Sequence, residues 1–296
     1  MNLQNLRVFL KVAELEHITH ASEELNLTQP AVTKTIQSLE QETQIELVER
    51  QGRRIVLTHA GRVLQRYARQ IFALEREVED TLASLRDVEL GEVNIAANTT
   101  AGVYLLPPII ARFRIRYPQV ALNVTILNSR EIIEGTLDWT LDFGLVEGDT
   151  SKFPAVLHAR VFAQDSLVLI VSPGHRWYNG GALSPEVLAS GELLLREQGS
   201  GIREVVEKEF LRKGMQIRPL FTLTDNEAIK QMVISGVGAA IVSLLSVQRE
   251  LASGDLVRIP LADLDLTAQL SFIQRTDKQL SRAAQAFYNQ LFPESE

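Results

Sequence analysis

The segment Thr28-Gln29-Pro30-Ala31-Val32-Thr33-Lys34-Thr35-Ile36-Gln37 puts hydroxyls, amides and one amine on one side and its apolar residues on the other. These are the groups that hydrogen-bond base edges and phosphates, so Thr28, Gln29, Thr33, Lys34 and Gln37, with Pro30 among them, are candidates to touch double-stranded DNA. Arg50, Arg53 and Arg54 lie close behind and offer cations to phosphates or a minor groove. A second set is spread through the rest of the chain. Thr99, Thr100, Ser129, Gly199, Ser200, Gly201, Arg203 and Thr224 lie where a strand-like run hands over to a helix-like one. Hydroxyls, glycine turns and a guanidinium at helix N-termini suit a small carboxylate or phosphate. Thr100, Ser129 and Thr224 could equally be plain N-caps, and Arg203 could face solvent.

At helical period Val32, Ile36 and Leu39 share one narrow arc, with Lys34 and Gln37 opposite. A helix beginning after Thr28 follows, with Thr28 as its cap and Pro30 in the first turn, where a missing N–H leaves no bond unmade. Leu6, Val8, Phe9, Val12 and Ala13 stripe an earlier helix. Ile18, Ala21, Leu25 and Leu27 mark a short second one ending near Asn26. The tight turn between second and third helices makes a helix-turn-helix. Residues 47–57 read as two short strands about Gln51-Gly52, a wing bearing the three arginines. Singly, each piece could be a core helix or a solvated hairpin; their order points to DNA.

Residues 3–66 resemble the winged helix-turn-helix of LysR-type transcriptional regulators. The resemblance rests on Phe9, Ala21, Leu25, Thr28-Gln29-Pro30-Ala31-Val32-Thr33, Ile36, Leu39-Glu40, Leu47, Glu49-Arg50 and Leu57-Thr58-His59-Ala60-Gly61. Ser22 stands where that family usually has alanine, Gln44 where it has a turn glycine, and Val48 where it has phenylalanine. All three concern packing or turn geometry. The resemblance implies an inverted-repeat operator, a homodimer or homotetramer, RNA polymerase as a further partner, and a small anionic metabolite as effector.

Composition sets bounds. The 296 residues are 45% hydrophobic, enough for more than one core. With no cysteine, disulfides, thiolate metal sites and a cysteine nucleophile are excluded. Arg7, Lys11, Glu14 and Glu16 interrupt the first helix, and no apolar run approaches a membrane span. The expectation is a cytoplasmic protein with no membrane partner. The net charge of −7 opposes a DNA-binding reading, since such modules are expected to be basic. The acids Glu14, Glu16, Glu23, Glu24, Glu40, Glu42 and Glu46 lie outside the recognition tip and wing. The positive footprint is therefore small and local, which implies weak non-specific affinity and reliance on paired sites.

From Thr58 to Asp87 there is no proline, and Val63, Leu64, Tyr67, Ile71, Leu74, Val78, Leu82 and Leu85 recur at spacings of three and four. One long amphipathic helix capped by Thr58 is predicted. Its stripe needs a cover, either a second subunit, as in the LysR family, or its own domain. After Glu89-Leu90-Gly91 strand-like runs (93–97, 120–127, 141–146, 167–171, 193–195, 239–243, 270–274) alternate with helix-like ones (103–116, 130–137, 202–213, 227–235, 279–291). This spacing implies α/β units with largely parallel sheets. It resembles the LysR effector domain, a two-lobed fold like periplasmic binding proteins with ligand between the lobes.

The expected class is therefore multidomain α and α/β. Residues 1–58 form the winged helix-turn-helix, 59–89 the linker helix and 90–296 the effector domain. Lobe 1 takes residues 91–163 and 267–296, lobe 2 residues 164–266. Gly199-Ser200-Gly201 and residues 226–233 with Gly236 and Gly238 look most like the branch regulating carbon dioxide fixation or sulfur assimilation. An enzyme reading finds little: Gly236-Val237-Gly238 has Ile241 where a third dinucleotide glycine belongs, and neither a Gly-x-Ser-x-Gly elbow nor a His-Glu-x-x-His helix occurs. His17, His20, His59, His158 and His175 make no ligand cluster. No catalytic residue, metal or cofactor is expected. A DNA-binding protein whose lobes serve only assembly is the other alternative.

Overall fold

The computed structural model describes residues 1–51, 54–84, 91–178, 181–189 and 191–293, with side chains described except at 50, 51, 77, 80, 81, 83 and 84. The chain divides into two units, Met1–Glu79 with Asp138–Thr140, and Asp80–Leu137 with Leu141–Glu296.

In the first unit α1 (Leu3–Leu15), α2 (Ile18–Glu24) and α3 (Gln29–Thr43) bury Leu6, Phe9, Val12, Ala21, Val32, Ile36 and Leu39 in one core. Asn26, at φ 52°, turns the chain left-handed between α2 and α3, a conformation that asparagine adopts more readily than most residues. Gln44 caps α3 at φ 57°, so the position that usually holds glycine keeps its left-handed geometry at a cost of about 1 kcal/mol. β1 (Val48–Gln51) pairs antiparallel with β2 (Arg54–Leu57); the turn at 52 and 53 lies outside the described residues. Glu40 Oε1 accepts from the Leu47 N–H at 2.8 Å and the Val48 N–H at 3.2 Å, tying α3 to this hairpin.

Thr58 caps α4 (His59–Ser84), accepting from the Gly61 N–H at 3.0 Å while donating to the Glu46 carbonyl at 2.8 Å. A Cβ at Gly61 would overlap the Leu47 carbonyl, so only glycine lets α4 approach the hairpin this closely. The helix carries two apolar faces where one stripe was expected. Ala68 and Phe72 are buried in the unit's own core with Leu64 and Ile71 against them, whereas Tyr67, Leu74, Val78 and Leu82 are all more than half exposed. Residues 85–87, with Leu85 of the stripe, lie outside the described residues.

The second unit alternates strands and helices: β3 (Glu92–Ala97), a π-helical turn (Ala101–Leu105) running into α5 (Leu106–Arg116), β4 (Ala121–Ile126), α6 (Ser129–Leu137), β5 (Phe143–Glu147) and β6 (Leu157–Val171). There follow α7 (Pro185–Leu188), β7 (Leu193–Arg196), α8 (Gly201–Arg212), β8 (Phe221–Leu223), α9 (Asn226–Ile234), β9 (Ala239–Ser243) and α10 (Leu244–Ser253). β10 (Val257–Ile259), β11 (Thr267–Arg275) and α11 (Arg282–Leu291) complete it.

The strand order is β4-β3-β5-β11-β6-β9-β7-β8, with β10 beside β6. β3 is parallel to β4 and β5, and β7 to β8 and β9. The sheets are mixed where largely parallel ones were expected, because β6 and β11 run antiparallel to their neighbours. β6 serves twice: residues 157–166 pair with β11, and residues 167–170 with β9. Its fifteen residues let one strand pass from lobe 1 to lobe 2. Phe113, Phe143, Phe272 and Phe287 fill the first lobe's core; Trp177, Leu188, Val206 and Phe210 fill the second's.

Candidate DNA-binding face and effector cleft

α3 presents the first site. Thr28 accepts from the Ala31 N–H at 3.4 Å, Pro30 sits in the first turn, and the segment opens exposed. Gln29, Lys34 and Gln37 are exposed and Thr33 is half-buried beside them, while Val32, Ile36 and Leu39 lock the opposite arc. A helix held on one side with free amides and an ammonium on the other can enter a major groove. Arg54 is exposed on β2; Arg53 lies outside the described residues, and so does the side chain of Arg50.

The second site is a narrow cavity between the lobes. Asn98, Thr99, Thr100, Asn128, Ser129 and Glu147 line it from lobe 1, and Arg196, Ser200, Gly201 and Ile202 from lobe 2. The starts of the π-helical turn, α6 and α8 meet here. Asn98 Oδ1 accepts from the Ala101 N–H at 3.0 Å, and Asn128 caps α6 with Glu131 reaching back to its N–H at 3.1 Å, a capping box. Ser200, by contrast, starts α8 without a side-chain cap, and the fully buried Thr100 hydroxyl has no hydrogen-bond partner. The lobes meet at this point: the Arg130 N–H donates to the Gly199 carbonyl at 3.2 Å, and a Cβ on Gly201 would overlap the Glu147 backbone.

Of the residues chosen from sequence, Thr99, Thr100, Ser129, Ser200 and Gly201 line this cavity and three do not. Gly199, at φ 93°, contributes its carbonyl to the lobe contact. Arg203 is buried inside lobe 2, donating to the Arg196 carbonyl at 2.8 Å and to Glu207 at 2.7 Å, rather than facing solvent or ligand. Thr224 is exposed, and the cap of α9 is Asp225, which accepts from the Ala228 N–H at 2.8 Å.

Sequence reasoning passed over Glu147 and Arg196, the last residues of β5 and β7, and Asn226, the first of α9. Strand carboxyl ends are the favoured position in such sheets, and that was the signal available. Arg196 holds Glu197 through two nitrogens, at 2.8 and 3.0 Å, and donates to Asn226 Oδ1 at 2.5 Å. Burial pushes the Glu147 carboxyl up to about 7; the side chains of Thr100 and Asn98, close to it but without a well-formed hydrogen bond, favour its charged form, Asp165 raises it further and Arg196 lowers it. Among the described residues no cluster of His, Cys, Asp or Glu could hold a metal ion, and no helix is long and apolar enough to cross a membrane.

A family model described as the bacterial regulatory helix-turn-helix protein, lysR family, matches residues 3–62, and one described as the LysR substrate binding domain matches residues 86–294. The chain belongs to the LysR family. This LysR regulator is 35% identical to the RuBisCO operon transcriptional regulator of Allochromatium vinosum, over 97% of this chain and 94% of that one. It is 31% identical to the transcriptional activator CmpR of Synechocystis, over 99% and 96% of the two chains. Among solved structures it resembles CbnR bound to target DNA (24% identity, 98% and 99% covered, TM-score 0.69). It also resembles the regulatory domain of Synechocystis CcmR in complex with 2-PG (25% identity, 68% and 95% covered, TM-score 0.62). It is therefore a DNA-binding transcriptional regulator with an effector-binding domain, on the side of the family that holds the RuBisCO regulators.

Proposed function

We propose that this regulator reads an inverted-repeat operator through paired α3 helices and answers to a small metabolite anion bound between its lobes, with no catalytic step of its own. Residues 1–58, 59–89 and 90–296 act as reader, linker and sensor, and the sensor's lobes are residues 91–163 with 267–296, and 164–266. The observation that carries the sensor reading is the fully buried, unpaired Thr100 hydroxyl in a cavity that also holds helix N-termini and Arg196. A ligand oxygen satisfies such a hydroxyl; an empty apolar core would not retain it.

The exposed row Tyr67, Leu74, Val78 and Leu82 supports pairing of two linker helices, and two such dimers a tetramer. Gln29, Thr33, Lys34 and Gln37 read bases while Thr28, Pro30, Arg50, Arg53 and Arg54 position the backbone. Its place is the cytoplasm, where operator and RNA polymerase are found. The CcmR complex supports a phosphorylated short carboxylate such as 2-PG (2-phosphoglycolate) as the class of effector.

Two measurements test this. DNA fragments retained by the purified protein, once sequenced, should share an inverted repeat. Thermal melting with 2-phosphoglycolate, inorganic phosphate and citrate should show at least one anion raising the midpoint, since a ligand that binds only the native state stabilises it. No retained motif would end the operator reading, and no stabilisation by any anion would favour lobes that serve assembly alone.

A further inference from the structure

We propose that Glu147 serves the cleft as a protonated carboxylic acid, so that the effector anion enters together with one proton. This rests on the reading of the cleft as an anion site. Glu147 ends β5 with only 3% of its surface exposed, lines the cavity, and leaves Oε1 without a hydrogen-bond partner. Its backbone cannot withdraw. Ser129 holds both its N–H and its carbonyl, and α8 presses on it through Gly201.

The charged groups around it do not neutralise it. β6 contributes Asp165, an acid. β7 contributes Arg196, whose guanidinium is already engaged by Glu197 and Asn226. On α8 the Glu204 carboxylate lies beside Gly148, and on α6 Arg130 lies against Gly199. The π-helical turn and its approach offer the uncharged Asn98 and Thr100, and the β11 partner is Leu270.

A carboxylate and an anionic ligand cannot share so small a cavity, because like charges at close range disfavour joint ionisation. Protonation resolves the conflict and turns Glu147 from a repelling acceptor into a donor. The acid O–H and the Thr100 hydroxyl then provide two donors for ligand oxygens. Burial already brings Glu147 to about 7, so the proton is held or taken up near neutrality with little penalty. Effector affinity becomes a function of pH: it weakens as the cell turns alkaline.

The test is calorimetric titration of the full-length protein with 2-phosphoglycolate between about pH 7 and about pH 9, in two buffers of different ionisation enthalpy. Wild-type affinity should fall about tenfold per pH unit, with uptake of about one proton at the alkaline end. Glu147→Gln, which keeps a neutral donor, should bind with level affinity and exceed the wild type at the alkaline end. Level wild-type affinity without proton uptake overturns the role of Glu147 and leaves the anion site standing. Absence of binding by 2-phosphoglycolate and by inorganic phosphate to the wild type at every pH removes the anion site and this proposal together. Should Glu147→Gln fail to fold, proton uptake by the wild type decides alone.

Discussion

Ser129 and Glu147 close a two-way hydrogen bond: the Ser129 hydroxyl donates to the Glu147 carbonyl at 3.0 Å and accepts from the Glu147 N–H at 3.3 Å. The single hydroxyl proton is committed within lobe 1, so Ser129 meets an anion through its place at the N-terminus of α6 rather than through its side chain. Ser129→Ala leaves two buried backbone groups unpaired, and the unliganded protein should lose about 1–3 kcal/mol of stability. Calorimetric melting of the full chain measures it.

Thr100 is the opposite case. Its hydroxyl is buried and unpaired, so Thr100→Val should cost the unliganded protein little. Effector binding should weaken by about tenfold to a hundredfold, the equivalent of about 1–3 kcal/mol from a ligand oxygen left without its donor. Titration with 2-phosphoglycolate reads it, and unchanged affinity would move the pocket elsewhere.

Gln29 and Arg54 should fail differently. Gln29→Ala should lose about 1–3 kcal/mol on the specific operator and almost nothing on random DNA. Arg54→Ala should weaken both alike and flatten the salt dependence by about one charge. Fluorescence anisotropy on both DNAs at several salt concentrations separates the two, and equal loss on both for Gln29→Ala would end its base-reading role.

Leu74 and Val78 are the positions at which to break the linker seam, since Ile71 also packs on its own unit's core. Asp at both places unpaired carboxylates in the proposed helix–helix contact, costing several kcal/mol. Sedimentation at micromolar concentration should show smaller particles, with operator affinity falling in parallel. An unchanged mass would exclude α4 as the dimer contact.

Glu147 also sets a pH dependence of stability. Its folded carboxyl stands at about 7 against an ordinary 4.5, so between those values the folded chain keeps a proton that the unfolded chain releases. Stability contributed by this group is full below about pH 4.5, falls as pH rises to about 7 and is level above, a change on the order of 3 kcal/mol. Glu209, Glu227 and Asp277, held below the usual range by Arg212, Lys230 and Arg275, act in the opposite direction at lower pH. The difference between wild type and Glu147→Gln in melts at about pH 5 and about pH 8 isolates the Glu147 contribution.

What could be read in the chain was what its neighbours in sequence decide. The Thr28 and Thr58 caps, the arc of Val32, Ile36 and Leu39 and the break at Asn26 all follow from hydrogen bonds and periodicity within about one helical turn. The sites where strands hand over to helices were visible for the same reason, and Thr100, Ser129, Ser200 and Gly201 line the cavity.

Tertiary structure alone decided how those pieces are used. Arg203 looks like an anion ligand in sequence and Arg196 does not stand out; only the packing of α8 against β7 turns the first inward and leaves the second at the cavity. Ile71 and Leu74 belong to one apolar pattern, yet the first packs on its own unit's core and the second is exposed, because periodicity shows that a face is apolar and not what covers it. Glu147 ends an apolar strand, and beyond that position nothing local marks its role. Its chemistry comes from burial, from Asp165 eighteen residues away and Arg196 on another lobe, and from a glycine that lets a helix press against it. Local sequence determines hydrogen bonds and periodicity; desolvation and charge proximity are sums over groups that only the fold brings together.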